Sequence, residues 1–82
     1  MNEITTLSEL PIGRKAVVRA VEGEGTVHRR LMEMGVVPGT LVRVIKSAPF
    51  GDPIEVRVMG YNLALRKSEA AAVSVAAVDA GK

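Results

Sequence analysis

A mainly β fold, with about five short strands and one short α-helix arranged as a small barrel or a strongly bent sheet, is predicted for this 82-residue chain by three observations. Runs rich in β-branched residues recur along the chain. Gly and Pro punctuate them at close intervals, and the apolar spacing switches to a helical period in one segment. Closing or bending the sheet would also remove exposed strand edges.

Thr6-Leu7-Ser8-Glu9-Leu10-Pro11-Ile12-Gly13 joins apolar anchors to Pro and Gly, and reads as a leading segment that ends in a turn. The first strand is expected over 15–21, where Val17, Val18 and Val21 lie between Gly13 and Gly23. From Thr26 the pattern changes. Val27, Leu31 and Met34 fall at i, i+4 and i+7 while Arg29, Arg30 and Glu33 take other faces, which predicts a short amphipathic helix. Thr26 is placed to cap its first turn, and Gly35 to end it in the left-handed conformation. Isolated helices need roughly 12–15 residues to hold alone, so this one must dock on the sheet.

Pro38-Gly39 marks a turn. Strands are expected over 41–46 and 54–58, and the alternation of the second points Ile54, Val56 and Val58 inward. The connection over 47–53 carries Pro49, Gly51 and Pro53 and cannot continue either strand. Met59-Gly60-Tyr61-Asn62 reads as a tight turn into a strand with Leu63 and Leu65 facing the core, so 54–66 forms a hairpin. Ser68 offers a cap for a single helical turn over 69–72, and 73–75 supply the last strand. On this reading residues 1–75 form one domain and 76–82, which lack turn chemistry or a strong pattern, a flexible tail. The pattern alone does not separate an SH3-like barrel from an OB-like one.

Composition narrows the function. A domain of this size buries only about 60–65% of the surface its unfolded chain exposes, which leaves little for a large cleft and argues against an enzyme that engulfs its substrate. The chain has no cysteine, which excludes disulfides, thiolate catalysis and the common structural zinc sites. Its start has no basic stretch followed by an apolar run, and no segment approaches the roughly 18 apolar residues of a membrane span, so a cytoplasmic protein is expected. The net charge is +2, but the eleven Lys and Arg are interleaved with nine Asp and Glu rather than gathered. Phe50 and Tyr61 are too few to form a base-stacking platform. Nucleic acid is therefore disfavoured as a partner.

The residues that tempt a chemical reading are few. His28, with Glu24 and Glu33 nearby, has the donor types of a metal site. Glu24 precedes the helix, however, and the five-residue spacing of His28 and Glu33 does not put them on one helical face, so solvated side chains are expected and no cofactor. Asp52 has no partner acid, base or nucleophile at a recognisable spacing, and fits an aspartate that bonds nearby backbone amides and fixes a turn. Met34 is expected in the core, and Met32 is the better candidate for exposure. Gly23-Glu24-Gly25 lacks the length and the Lys-Ser/Thr ending of a phosphate loop. Arg29 and Arg30 are candidates for an arginine supplied in trans to a nucleotide-hydrolysing partner.

The order of four motifs resembles the FeoA family. They are Arg30-Leu31-Met32-Glu33-Met34-Gly35, then Val37-Pro38-Gly39, then Ala48-Pro49-Phe50-Gly51-Asp52-Pro53-Ile54, then Leu65-Arg66. The resemblance covers residues 7 to 75. It implies an SH3-like β-barrel with an inserted helix, and an accessory role in ferrous iron transport beside FeoB, a membrane permease with a cytoplasmic GTPase region. The membrane would then be met only through that partner, at the inner membrane. The same fold forms the C-terminal domain of DtxR-type metal-dependent repressors, so a stand-alone metal-responsive adaptor is the alternative. Only residues 1–6 precede the domain, which favours the transport component. The partner surface is expected to combine Glu24, Arg29, Arg30 and Met32 with Pro49, Phe50 and Asp52. Loops held by a barrel commonly carry recognition, and a proline-stiffened loop loses less entropy on docking.

Overall fold

The structure, a computed structural model, describes residues 4–23 and 25–78. It contains six strands: β1 Ile4–Thr6, β2 Lys15–Val21, β3 Leu41–Ser47, β4 Ile54–Val58, β5 Tyr61–Leu65 and β6 Val73–Ala77. Helix α1 spans Gly25–Glu33, α2 spans Lys67–Ala70, and a tight 3-10 turn covers Leu7–Glu9. All strand pairs are antiparallel, in the order β1-β6-β2-β3-β4-β5.

Alternation decides the inner face. Val42 and Val44 of β3, and Ile54, Val56 and Val58 of β4, are buried while Arg43 and Arg57 between them are exposed. Leu65 of β5 and Val75 of β6 belong to the same core cluster, although their strands lie far apart in the sheet order. The sheet therefore curls around one core. Two register shifts help it to bend, between Val18 and Ala20 on β2 and between Val44 and Lys46 on β3.

Helix α1 docks through Leu31, which is 1% exposed. Its end is closed by two bonds, Val36 N–H to the Leu31 carbonyl at 3.0 Å and Gly35 N–H to the Met32 carbonyl at 3.1 Å, the pairing of a Schellman motif. Gly35 sits at φ +95°, a backbone conformation that favours glycine, and a Cβ there would lie 2.9 Å from Sδ of the exposed Met59, which would have to swing aside. The β4-β5 hairpin turns on two residues, Met59 at φ 51° and Gly60 at φ 88°, the two positive values of a type I′ turn.

The structure adds one strand to the expected number and moves several boundaries. β1 pairs with β6, with Ile4 opposite Ala76. At three residues it was too short to show a period, and what marks it as a strand is its partner at the other end of the chain. α1 begins at Gly25, so Thr26 lies inside it and does not cap it. α2 begins at Lys67 and contains Ser68, and β5 begins at Tyr61 because the turn needs two residues rather than four. β6 continues to Ala77, so the tail expected from residue 76 starts too early. Ala76 and Ala77 are 2% and 6% exposed, paired with Val17 and Ala16 of β2, and Val78 N–H still bonds the Lys15 carbonyl at 2.9 Å. Alanine carries little strand preference of its own, and pairing decides here. The remainder of that tail, 79–82, lies outside the described residues.

Candidate partner-docking site

Two segments expected to form one surface, the helix with its approach over 24–34 and the loop over 49–53, are both tied to α2. A helix of four residues has no stability of its own, and carboxylates from three and fifteen residues away satisfy its first backbone donors. Glu69 Oε1 accepts from Arg66 N–H at 2.9 Å, and Asp52 Oδ1 accepts from Lys67 N–H at 2.9 Å. The other oxygen of Glu69, Oε2, accepts from Arg30 Nη1 of α1 at 2.8 Å. Glu69 is 7% exposed, so its charge is paired and hydrogen-bonded where it is buried. At the far end of α1 the Tyr61 hydroxyl donates to the Met34 carbonyl, which fixes the helix to β5.

The loop holds its own shape. Ala48 N–H bonds the Pro53 carbonyl at 2.9 Å and Gly51 N–H bonds the Ala48 carbonyl at 2.7 Å, while the Asp52-Pro53 peptide is cis. Phe50 stands at its tip, 98% exposed. Arg30, Pro53, Ala64, Arg66 and Glu69 line a shallow groove of about 280 Å³ where α1, the loop and α2 meet.

Of the residues expected at a partner surface, Arg29, Pro49, Phe50 and Asp52 are exposed. Arg30 is outward but engaged by Glu69. Met32 is half-buried rather than exposed, because it follows Leu31 around the docked side of α1; Met34 packs against the core at similar burial. Asp52 bonds a backbone amide, as its type suggests, but one on α2 rather than within its own turn. Glu24 lies outside the described residues. His28 is half-buried, with Nδ1 enclosed and unbonded, and Glu33 is exposed. Among the described residues no three His, Asp or Glu side chains come together as metal ligands.

Sequence reasoning missed Glu69 as the centre of this arrangement. Its only local signal is a carboxylate three residues after Arg66, at the spacing that lets a side chain reach back to the start of a helix. The partner that makes it structural, Arg30, is thirty-nine residues away. Replacing Glu69 with alanine is expected to lower stability by about 2 kcal/mol, the scale of a charge-assisted bond plus an abandoned backbone donor. Glu69→Gln, which keeps an acceptor for Arg66 N–H, should lose roughly half as much. Urea denaturation of both variants checks this, and equal losses would mean that a neutral acceptor restores nothing and the charge on Glu69 carries the whole effect.

Comparison with known proteins places this geometry in a family. The FeoA domain family matches residues 5–77. A fusion protein of Porphyromonas gingivalis, described as Fe(2+) transport protein A joined to the Fe(2+) transporter FeoB, is 45% identical over 69 residues. Those residues are 84% of this chain but only 8% of that protein. A FeoA-like protein of Clostridium acetobutylicum superposes with a TM-score of 0.89 at 39% identity, covering 100% of this chain and 95% of the other. The FeoA of Stenotrophomonas maltophilia, an SH3 domain protein solved with zinc, gives 0.77 at 43% identity and covers 87% and 88%. A manganese-dependent transcriptional repressor reaches 0.84 at 19% identity over 92% of this chain and 37% of its own, a likeness of fold alone. With its six-stranded SH3-like sheet and docked helix, the chain belongs to the FeoA domain family, which the Porphyromonas fusion links to ferrous iron transport.

Proposed function

We propose that this protein is an accessory binding module of ferrous iron uptake that docks on the cytoplasmic GTPase region of a FeoB-like permease and has no active site of its own. The observation that carries the reading is the Porphyromonas relative, in which a sequence 45% identical over 69 residues is joined in one chain to FeoB. Covalent joining fixes two modules at high effective concentration, an arrangement suited to parts that act on each other. The local geometry agrees with a binding role. A fully exposed aromatic on a loop braced at both ends offers an anchor that loses little entropy on docking.

Arg29 is exposed and has no ion-pair partner among the described residues, whereas Arg30 is held by Glu69, so Arg29 is the better placed of the two to reach into a partner. The fold shared with the manganese-dependent repressor lends nothing to a regulatory reading, because it is a likeness of fold alone. Titrating this chain into a purified FeoB cytoplasmic region, with GTP hydrolysis followed in parallel, tests the proposal. Saturable one-to-one binding is expected. Absence of binding at near-millimolar concentrations in every nucleotide state would overturn it, and an unchanged hydrolysis rate in the bound state would remove Arg29 from any part in the chemistry.

A further inference from the structure

The outer face of the sheet carries a second feature that the loop site does not use. Register brings Lys15 of β2 opposite Arg43 of β3, and Arg43 opposite Arg57 of β4, so three cations stand side by side across three strands. Adjacent strands lie roughly 5 Å apart, so the row spans about 10 Å. Like charges directly opposite each other destabilise a sheet. Among the described residues none of the three has an ion-pair partner. The carboxylate on the same face of β4, Glu55, is instead occupied by Asn62 Nδ2 at 2.7 Å and approached by Lys46 at 3.9 Å. Arg57 donates to Asn62 Oδ1 at 3.1 Å, which holds its guanidinium in place.

Beside this row the surface is apolar and concave. Lys15, Arg43 and Arg57 share the walls of an open groove of about 360 Å³ with Leu41 and Met59, which are 51% and 71% exposed. The groove lies at the β4-β5 turn, the opposite end of the β3-β4 pair from the Phe50 loop, and about 20 Å separates them along a seven-residue strand.

We propose that this face is a docking site for an acidic protein segment that lays carboxylates along Lys15, Arg43 and Arg57 and places one apolar side chain between Leu41 and Met59. Charge complementarity selects an anionic occupant, and the concave apolar wall selects one with a protruding side chain. A lipid surface would meet exposed apolar residues that project, and these line a groove. A nucleic acid would need a larger cationic area, since specific binders neutralise about 6–10 phosphates, and this face has no aromatic ring to stack on. The inference does not depend on what binds the Phe50 loop, because the two surfaces are at opposite ends of the same strands.

The test uses the full chain labelled with nitrogen-15 and an acetylated decapeptide of aspartate and glutamate around one leucine. Saturable shift changes centred on residues 15, 41–43 and 57–60 are expected. Arg43→Glu should weaken the peptide about tenfold or more. The same variant sets a carboxylate between Lys15 and Arg57, and its melting temperature should rise by roughly 2–6 °C, so binding and stability move in opposite directions. Leu41→Ser, which leaves the net charge unchanged, should also weaken the peptide. The proposal is overturned by absence of saturable binding, by shifts centred elsewhere, by equal affinity in Arg43→Glu, or by a response of this face to phosphatidylglycerol vesicles or duplex DNA and not to the peptide. If the peptide maps to this face while the FeoB region fails to bind, this site stands and the partner reading falls.

Discussion

Truncating Leu31 to alanine is expected to remove about 3 kcal/mol of stability. At roughly 0.05–0.15 kcal/mol per residue the whole domain holds about 4–12 kcal/mol, so this one side chain decides whether a large fraction of molecules stays folded at moderate temperature. The reason is its position. Leu31 is the buried residue of α1, and a nine-residue helix has too little intrinsic stability to remain on the sheet without it. The loss should spread along the chain, because the carbonyl of Leu31 accepts the Val36 bond that closes the helix and the helix carries Arg30 to Glu69. A lowered urea midpoint together with reduced helical circular dichroism is the expected signature. Leu31→Met, nearly equal in volume, should cost less than about 1.5 kcal/mol. A loss in Leu31→Ala no greater than in Leu31→Met would mean that α1 is held by its ends and not by its buried face.

Phe50→Ala should behave in the opposite way. At 98% exposure the ring stabilises nothing within the fold, and the urea midpoint should stay within about 0.5 kcal/mol of the original. If the loop docks on the FeoB cytoplasmic region as proposed, affinity should fall about tenfold to thirtyfold, the scale of an aromatic anchor at the centre of an interface. Calorimetric titration of the two chains against the same partner preparation measures it. Unchanged affinity would take the loop out of the docking surface while leaving the partner assignment to be judged by the original chain.

What the sequence makes legible follows from where the physical cause lies. Ile54, Val56 and Val58 alternate with Glu55 and Arg57, so burial on one face is written locally, and the core side of β4 can be read directly. Gly35 after an i, i+4, i+7 apolar series announces the end of α1 for the same reason. Ala76 and Ala77 carry no such mark. They are strand because β2 lies beside them, with Val17 and Ala16 as partners. The site divides in the same way. The proline-stiffened loop and the exposed Phe50 are visible in composition, whereas the pairing of Glu69 with Arg30 is made by the fold from residues that share no local pattern. The cationic row is subtler still, for Lys15, Arg43 and Arg57 look evenly scattered along the chain and become neighbours through strand register alone.

The pairing of β1 with β6 has a consequence for how such a domain can be tethered. Ile4 lies opposite Ala76, so the first and last described strands leave the fold side by side at one corner. A longer polypeptide attached at either end would meet the domain at that same corner, and Val78, bonded to the Lys15 carbonyl, brings the C-terminal attachment alongside one wall of the basic groove. Linker length, more than the choice of end, then sets how far each binding face can swing and how often it meets its target.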